Sequence, residues 1–184
     1  SPIEFAEVAS MSMELFGADY YEEFYSPEDA ARARRKHLEG VIDVLPWIAR
    51  IDAFQHWIYT HPTHTTAERT ACWLELETRF GARLDWDGYQ PTRESAWQRQ
   101  LHLFCHPFYY IEYGIAQLGA LQLWKIFQQD PGAAVRGYRS ALTLGGSRPL
   151  PVLFEAAGIR FDFSIQTIQP LMQTVQDELD RMPE

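Results

Sequence analysis

Two acids and one compact group of ring-bearing residues are the parts of this sequence best suited to do chemistry. In the segment FAEVASMSMEL, Glu7 and Glu14 stand seven residues apart, a spacing that puts both carboxylates on one face of a helix. Their neighbours are Ala, Val, Ser and Met. An acid held in so apolar a setting wants a metal or a cationic partner, whereas two solvated acids on a helix surface are the plainer reading of the same spacing. The second segment, QLHLFCHPFYYIEYGIAQLGALQLW, gathers His102, His106, Tyr109, Tyr110 and Tyr113 around a helix start. Tyr109 and Tyr113 are one turn apart and can point the same way. Converging imidazole and phenol groups donate hydrogen bonds to a developing oxyanion, the preorganised electrostatic help that acyl transfer needs. The alternative is a core-lining aromatic stripe with one capping histidine. Gly114, Ala116, Gly119 and Ala120 mark a helix that another backbone approaches closely.

Other candidates carry less. His61 and His64 in HPTH sit in a proline turn with no nearby Cys or acid, and His37 and His56 have no acid three residues before them. The Glu-x-x-His pattern of di-iron bundles is therefore absent. The glycine pair in LTLGGSRP lacks the Lys-Ser or Lys-Thr of a phosphate loop. There is no GxSxG elbow, and neither Cys72 nor Cys105 has a nucleophile motif, so covalent catalysis has no support.

The elements that must position these groups read as helices. Phe5, Val8, Met11 or Ser12, and Leu15 recur at helical spacing, with Gly17 as the stop. Ser26-Pro27-Glu28-Asp29 is an N-cap, a first-turn proline and two acids on the positive end of the dipole. That helix runs toward Gly40 to Leu45, where Pro46 kinks or divides it, and a further stretch continues from Trp47 to about Thr60. A threonine-capped helix through AERTACWLELETRF stops at Gly81. A shorter one is expected from about Thr92 to Phe104, and Pro107 suits the first turn of a long helix reaching about Gln129. Asp130-Pro131 opens another to about Ala141, Leu150 to Ala157 is short and closed by Gly158, and Ile165 to Arg181 is the last. With no repeat and no linker long enough to divide the chain, the expectation is a single all-α domain over 1–184, a bundle of eight or so helices.

FAEVASMSMEL is similar to the FxExxSxxxE helix that follows the HExxH helix in the oligoendopeptidase F and thimet oligopeptidase family of zinc metallopeptidases. HLFCHPFYYIEYGIAQLGALQLW resembles that family's substrate-side histidine and tyrosine segment, and the stretch GGSRPLPVLFEAAGIRFD with the final helix looks like its C-terminal end. The resemblance implies one side of a zincin-like oligopeptidase catalytic domain. It implies a zinc ion held by two HExxH histidines and one downstream glutamate, for which Glu7 is the match. Glu14 matches a helix acid that orients a metal-bound histidine through its other ring nitrogen. His102 matches the substrate-side histidine, and Tyr113, then Tyr109, with Tyr110 also in range, match the tyrosine that steadies the tetrahedral oxyanion. Gly145 and Gly146 fall in a loop that borders the substrate. No His-Glu dipeptide occurs in the sequence, so one zinc ligand of three is present and the general base is not. The chain is therefore expected to be a C-terminal portion, inactive alone, that works with an upstream HExxH-bearing segment of the same protein on short peptides. A helical interaction or ligand-binding module without metal chemistry is the alternative.

Composition narrows the field. The hydrophobic share of 46% and aromatic share of 14% suit a folded domain. With 25 acidic against 16 basic residues the net charge is −9, and scattered basic groups do not make a nucleic-acid footprint. Two cysteines without CxxC spacing suit a reducing cytoplasm. The stretch from Phe108 to Phe127 is interrupted by Glu112, Gln117, Gln122 and Lys125, so no membrane span is expected. A chain cut from a larger partner would also expose apolar surface, which makes self-association an expectation.

Overall fold

A computed structural model describes residues 1–182 and contains helices and turns with no strand among the described residues. The elements are α1 (Ile3–Gly17), α2 (Pro27–Thr60), α3 (Thr66–Phe80), α4 (Gln90–Ser95), α5 (His102–Cys105), α6 (Ile111–Gln129), α7 (Pro131–Thr143), α8 (Leu150–Ala156) and α9 (Ile165–Arg181). Short 3-10 turns cover Ala18–Glu23 and Ala96–Arg99. The all-α expectation is met. The chain forms two compact units, one from Ser1–Ile42 with the chain from Ile115 onward, the other Asp43–Gly114.

In the first unit, α1 buries Phe5, Val8, Ala9, Ser12, Leu15 and Phe16 on its apolar face. The Ser12 hydroxyl loses no hydrogen bond on burial because it donates to the Val8 carbonyl at 2.6 Å. Phe5 meets Phe154 edge-on at 5.9 Å, and Phe16 stacks on Phe127 at 4.4 Å. α9 adds Leu171, Val175 and Leu179, one or two turns apart along one stripe. The chain after α8 is pinned by reciprocal bonds: the Gln122 amide donates to the Arg160 carbonyl and accepts from the Arg160 backbone N–H, each at 2.9 Å.

The small residues in α6 and α7 are where elements touch. A Cβ on Gly119 would lie 2.9 Å from Val8 Cγ2 and 3.1 Å from Phe154, so α1 and α8 both close on that point of α6. A Cβ on Gly137 would lie 2.3 Å from the Ala157 carbonyl oxygen, which is backbone and cannot rotate away. Gly137→Ala is therefore expected to destabilise the chain by about 1–3 kcal/mol, read as a lower urea midpoint.

In the second unit, Ile51, Phe54 and Trp73 form the buried centre, with Trp47, Trp97, Leu103 and Tyr110 packed against it. The Trp73 indole N–H is satisfied by the Arg93 carbonyl at 2.9 Å. α3 begins on a capping box: the Thr65 hydroxyl accepts from the Glu68 N–H at 3.2 Å, and the Glu68 carboxylate accepts from the Thr65 N–H at 2.7 Å. Thr65→Ala should cost about 1 kcal/mol, measurable by thermal or urea unfolding.

Three boundaries differ from the sequence expectation. Pro46 neither ends nor divides α2, which is one helix of 34 residues. The lost N–H and the ring's crowding of the preceding turn are offset by buried residues on both sides, Leu38 and Val41 before it and Ile48, Ile51 and Phe54 after it. The helix expected from Thr92 to Phe104 is instead α4, a 3-10 turn and the single turn α5, because Gln100 takes an extended ψ of 91°. Pro107 does not open the long helix. The backbone reverses at Phe108, whose φ is 60°, and α6 starts only at Ile111.

Candidate active site

The loop made by that interruption assembles the rings of the second unit. α5 carries His102 on its first residue, and the reversal at Phe108 turns the chain so that Tyr109, Tyr110 and Tyr113 come back around the same imidazole. The His102 ring is parallel to Tyr109 at 5.8 Å, tilted on Tyr110 at 5.0 Å and perpendicular to Tyr113 at 5.7 Å. His106 lies 6.1 Å away, centroid to centroid, on the exposed side.

Polar contacts fix the histidine further. Its Nδ1 is 2.6 Å from Gln100 Nε2, and its Nε2 is 3.5 Å from the Tyr113 hydroxyl. Gln100 Oε1 in turn accepts from the Trp47 indole at 3.0 Å. Burial, followed by the neighbouring His106, holds His102 below the usual imidazole pKa, so it is a neutral ring at neutral pH. Burial pushes the Tyr110 phenol up, against an opposing hydrogen bond with Trp47. These are groups that donate hydrogen bonds without carrying charge, the type of array that stabilises an oxyanion.

In the first unit, α1 places Glu7 and Glu14 two turns apart, as their spacing requires. The Glu7 side chain is half-buried, and its carboxylate has no ion pair or hydrogen bond among the described residues. Glu14 is 60% exposed and lies 3.6 Å from His37 Nε2, so its cationic or imidazole partner comes from α2. Gly145 and Gly146 follow α7 in an open turn, with φ of 55° at Gly145 and no heavy atom within 4 Å of a Cβ on either. No group of three His, Cys, Asp or Glu residues able to hold a metal occurs among the described residues.

Sequence reasoning found His102 and the three tyrosines together but did not find Gln100 or Trp47. Gln100 was within sight, two residues before His102. Trp47, 53 residues before Gln100, read only as an apolar helix position. His37 has no acid three residues before it in sequence, yet its partner Glu14 arrives from another helix.

Residues 1–172 match the model of peptidase family M3. Among solved structures, one assigned as an oligoendopeptidase F is 36% identical with a TM-score of 0.85, covering 97% of this chain and 32% of its own. PZ peptidase A, solved with an inhibitor, is 33% identical with a TM-score of 0.88, covering 96% of this chain and 32% of its own. A third, from Bacillus anthracis str. Ames and likewise assigned as an oligoendopeptidase F, is 27% identical with a TM-score of 0.79, covering 98% of this chain and 29% of its own. The chain thus spans about a third of the length of the solved structures it matches. No curated protein matches it. A match over nearly all of the chain, together with identities above 30% in two peptidase structures of the same fold, places this chain in peptidase family M3.

Proposed function

We propose that the chain is the C-terminal part of the catalytic domain of a zinc-dependent metalloendopeptidase that hydrolyses short peptides, and that it is inactive alone. The observation that carries this reading is the neutral donor group of His102 with Tyr109, Tyr110 and Tyr113, found in a member of a peptidase family. An upstream HExxH-bearing segment of the same protein is its partner, and a cytoplasmic location fits the free cysteines. No helix among the described residues is long and apolar enough to cross a membrane.

Glu7 fits a metal ligand in one respect: it is a half-buried carboxylate without a protein partner among the described residues. A catalytic zinc takes three protein ligands, so Glu7 would need two histidines from the upstream segment. When bound, zinc supplies Lewis acidity and a water of lowered pKa. The rest is the work of this chain's own groups. His102 Nε2 and the Tyr113 hydroxyl donate to the substrate carbonyl oxygen, while the Tyr109 and Tyr110 rings hold the imidazole in place. Glu14, two turns along α1 from Glu7, takes the part of an acid that orients one of the upstream histidines. Gly145 donates its N–H to the Leu142 carbonyl at 3.0 Å, and the open turn it forms with Gly146, free of neighbours around a Cβ on either, borders an extended peptide. The exposed Tyr20, Phe24 and Tyr25 support self-association of the chain when it is alone.

The test is peptide cleavage by this chain mixed with the upstream segment. Tyr113→Phe should lower kcat about 10²–10³-fold with little change in KM, the loss expected for one oxyanion donor. An unchanged kcat would remove Tyr113 from the mechanism.

A further inference from the structure

The second unit contains a directional hydrogen-bond relay that ends on His102, and its direction follows from donor chemistry alone. The indole N–H of Trp47 can only donate. The atom of Gln100 that it meets, at 3.0 Å, must therefore be the carbonyl oxygen Oε1. That leaves the Gln100 NH2 group facing His102 Nδ1 at 2.6 Å, and an NH2 group can only donate. Nδ1 must accept, so the ring proton of a neutral His102 sits on Nε2, the nitrogen beside the Tyr113 hydroxyl at 3.5 Å. Turning the amide over would set two donors against each other at Trp47 and gives no way out.

We propose that Gln100, oriented by Trp47, is a positioning residue that fixes His102 in its Nε2–H tautomer, presenting that N–H as a hydrogen-bond donor to a peptide carbonyl oxygen; the substrate half of this rests on the peptidase reading above. The relay makes the imidazolium unfavourable as well, because a second proton on Nδ1 would point at the Gln100 NH2. Burial and His106 act on the ring in the same sense. The other titratable groups around it are the phenols of Tyr109, Tyr110 and Tyr113. Arg99 approaches through the far side of the relay, its guanidinium 4.2 Å above the Trp47 ring. Tyr110 and Trp47 also pack against the same buried centre of Ile51, Phe54 and Trp73, which ties the ring cage and the relay to one core.

The relay is tested on this chain itself by nitrogen NMR of its histidines above their titration. The expected result for His102 is a pyrrole-type Nε2 and a pyridine-type Nδ1; the reverse overturns the proposal. Gln100→Glu keeps an acceptor for Trp47 but turns the group facing Nδ1 into an acceptor too. The proton should move to Nδ1, and the His102 titration midpoint should rise by about one pH unit. No movement of either overturns the proposal. If Gln100→Glu does not fold, Trp47→Phe removes the donor that orients the amide, and both tautomers should then appear; a single unchanged tautomer overturns the relay. Cleavage by the chain mixed with its upstream segment separates the two ideas. A pH profile shifted by Gln100→Glu supports the substrate role, and an unshifted profile overturns it. No cleavage by the parent, with the tautomer as stated, overturns the peptidase reading and leaves the relay standing.

Discussion

Glu7→Gln should abolish zinc-dependent cleavage by the chain combined with its upstream segment, by more than the 10–100-fold that loss of an outer-sphere partner typically costs. The amide keeps the size and the helix propensity of the glutamate but removes its negative charge, and zinc sites take carboxylates as anionic ligands. Because α1 buries its opposite face through Phe5, Val8, Leu15 and Phe16, the substitution should leave the fold and the urea midpoint nearly unchanged. A ligand role predicts that separation of effects. Glu14→Gln on the same helix is the control: Glu14 is exposed and meets His37 at 3.6 Å, so its loss should cost far less activity. Equal losses from the two substitutions would contradict the assignment.

The second large effect is on stability. Glu77 in α3 has a side chain 6% exposed, and its carboxylate accepts from Arg93 Nε at 3.0 Å and Nη2, and from the Trp86 indole at 3.3 Å. Arg93→Ala strips the charge partner from a buried carboxylate, which typically costs about 3–5 kcal/mol. Against a total stability of roughly 5–15 kcal/mol that is enough to unfold the Asp43–Gly114 unit at mild denaturant. Hydrogen exchange should show protection lost first there, in α3 and α4, and retained in α1 and α9. Replacing both partners with Met should recover only part of the loss, since the Glu77 charge is then gone but the half-buried Arg50 guanidinium, which also faces Glu77, loses that acid.

Much of the helical skeleton could be read from local chemistry. The Thr65 cap, Asp130-Pro131 and Gly158 act where they stand, on backbone groups within a turn of themselves, and the helix ends fall there; α1 also ends at Gly17, but there the backbone stays right-handed and runs on into the 3-10 turn Ala18–Glu23. The region from Thr92 to Ile111 could not be read this way. Its path depends on Trp97, Leu103 and Tyr110 reaching the core around Trp73, a tertiary demand that overrides helix propensity and breaks one expected helix into three short pieces. The same holds for the site. His102, Tyr109, Tyr110 and Tyr113 were legible because they lie within 12 residues of sequence and carry recognisable chemistry. Gln100 and Trp47 were not, because an amide and an indole announce no function until the fold sets them 3.0 Å apart.

Native mass spectrometry of the chain combined with its HExxH-bearing upstream segment tests the central claim most directly. The account predicts one zinc ion per complex, none retained by this chain alone, and loss of that zinc on Glu7→Gln. Zinc held equally well with Glu7→Gln, or held by the upstream segment without this chain, would contradict it.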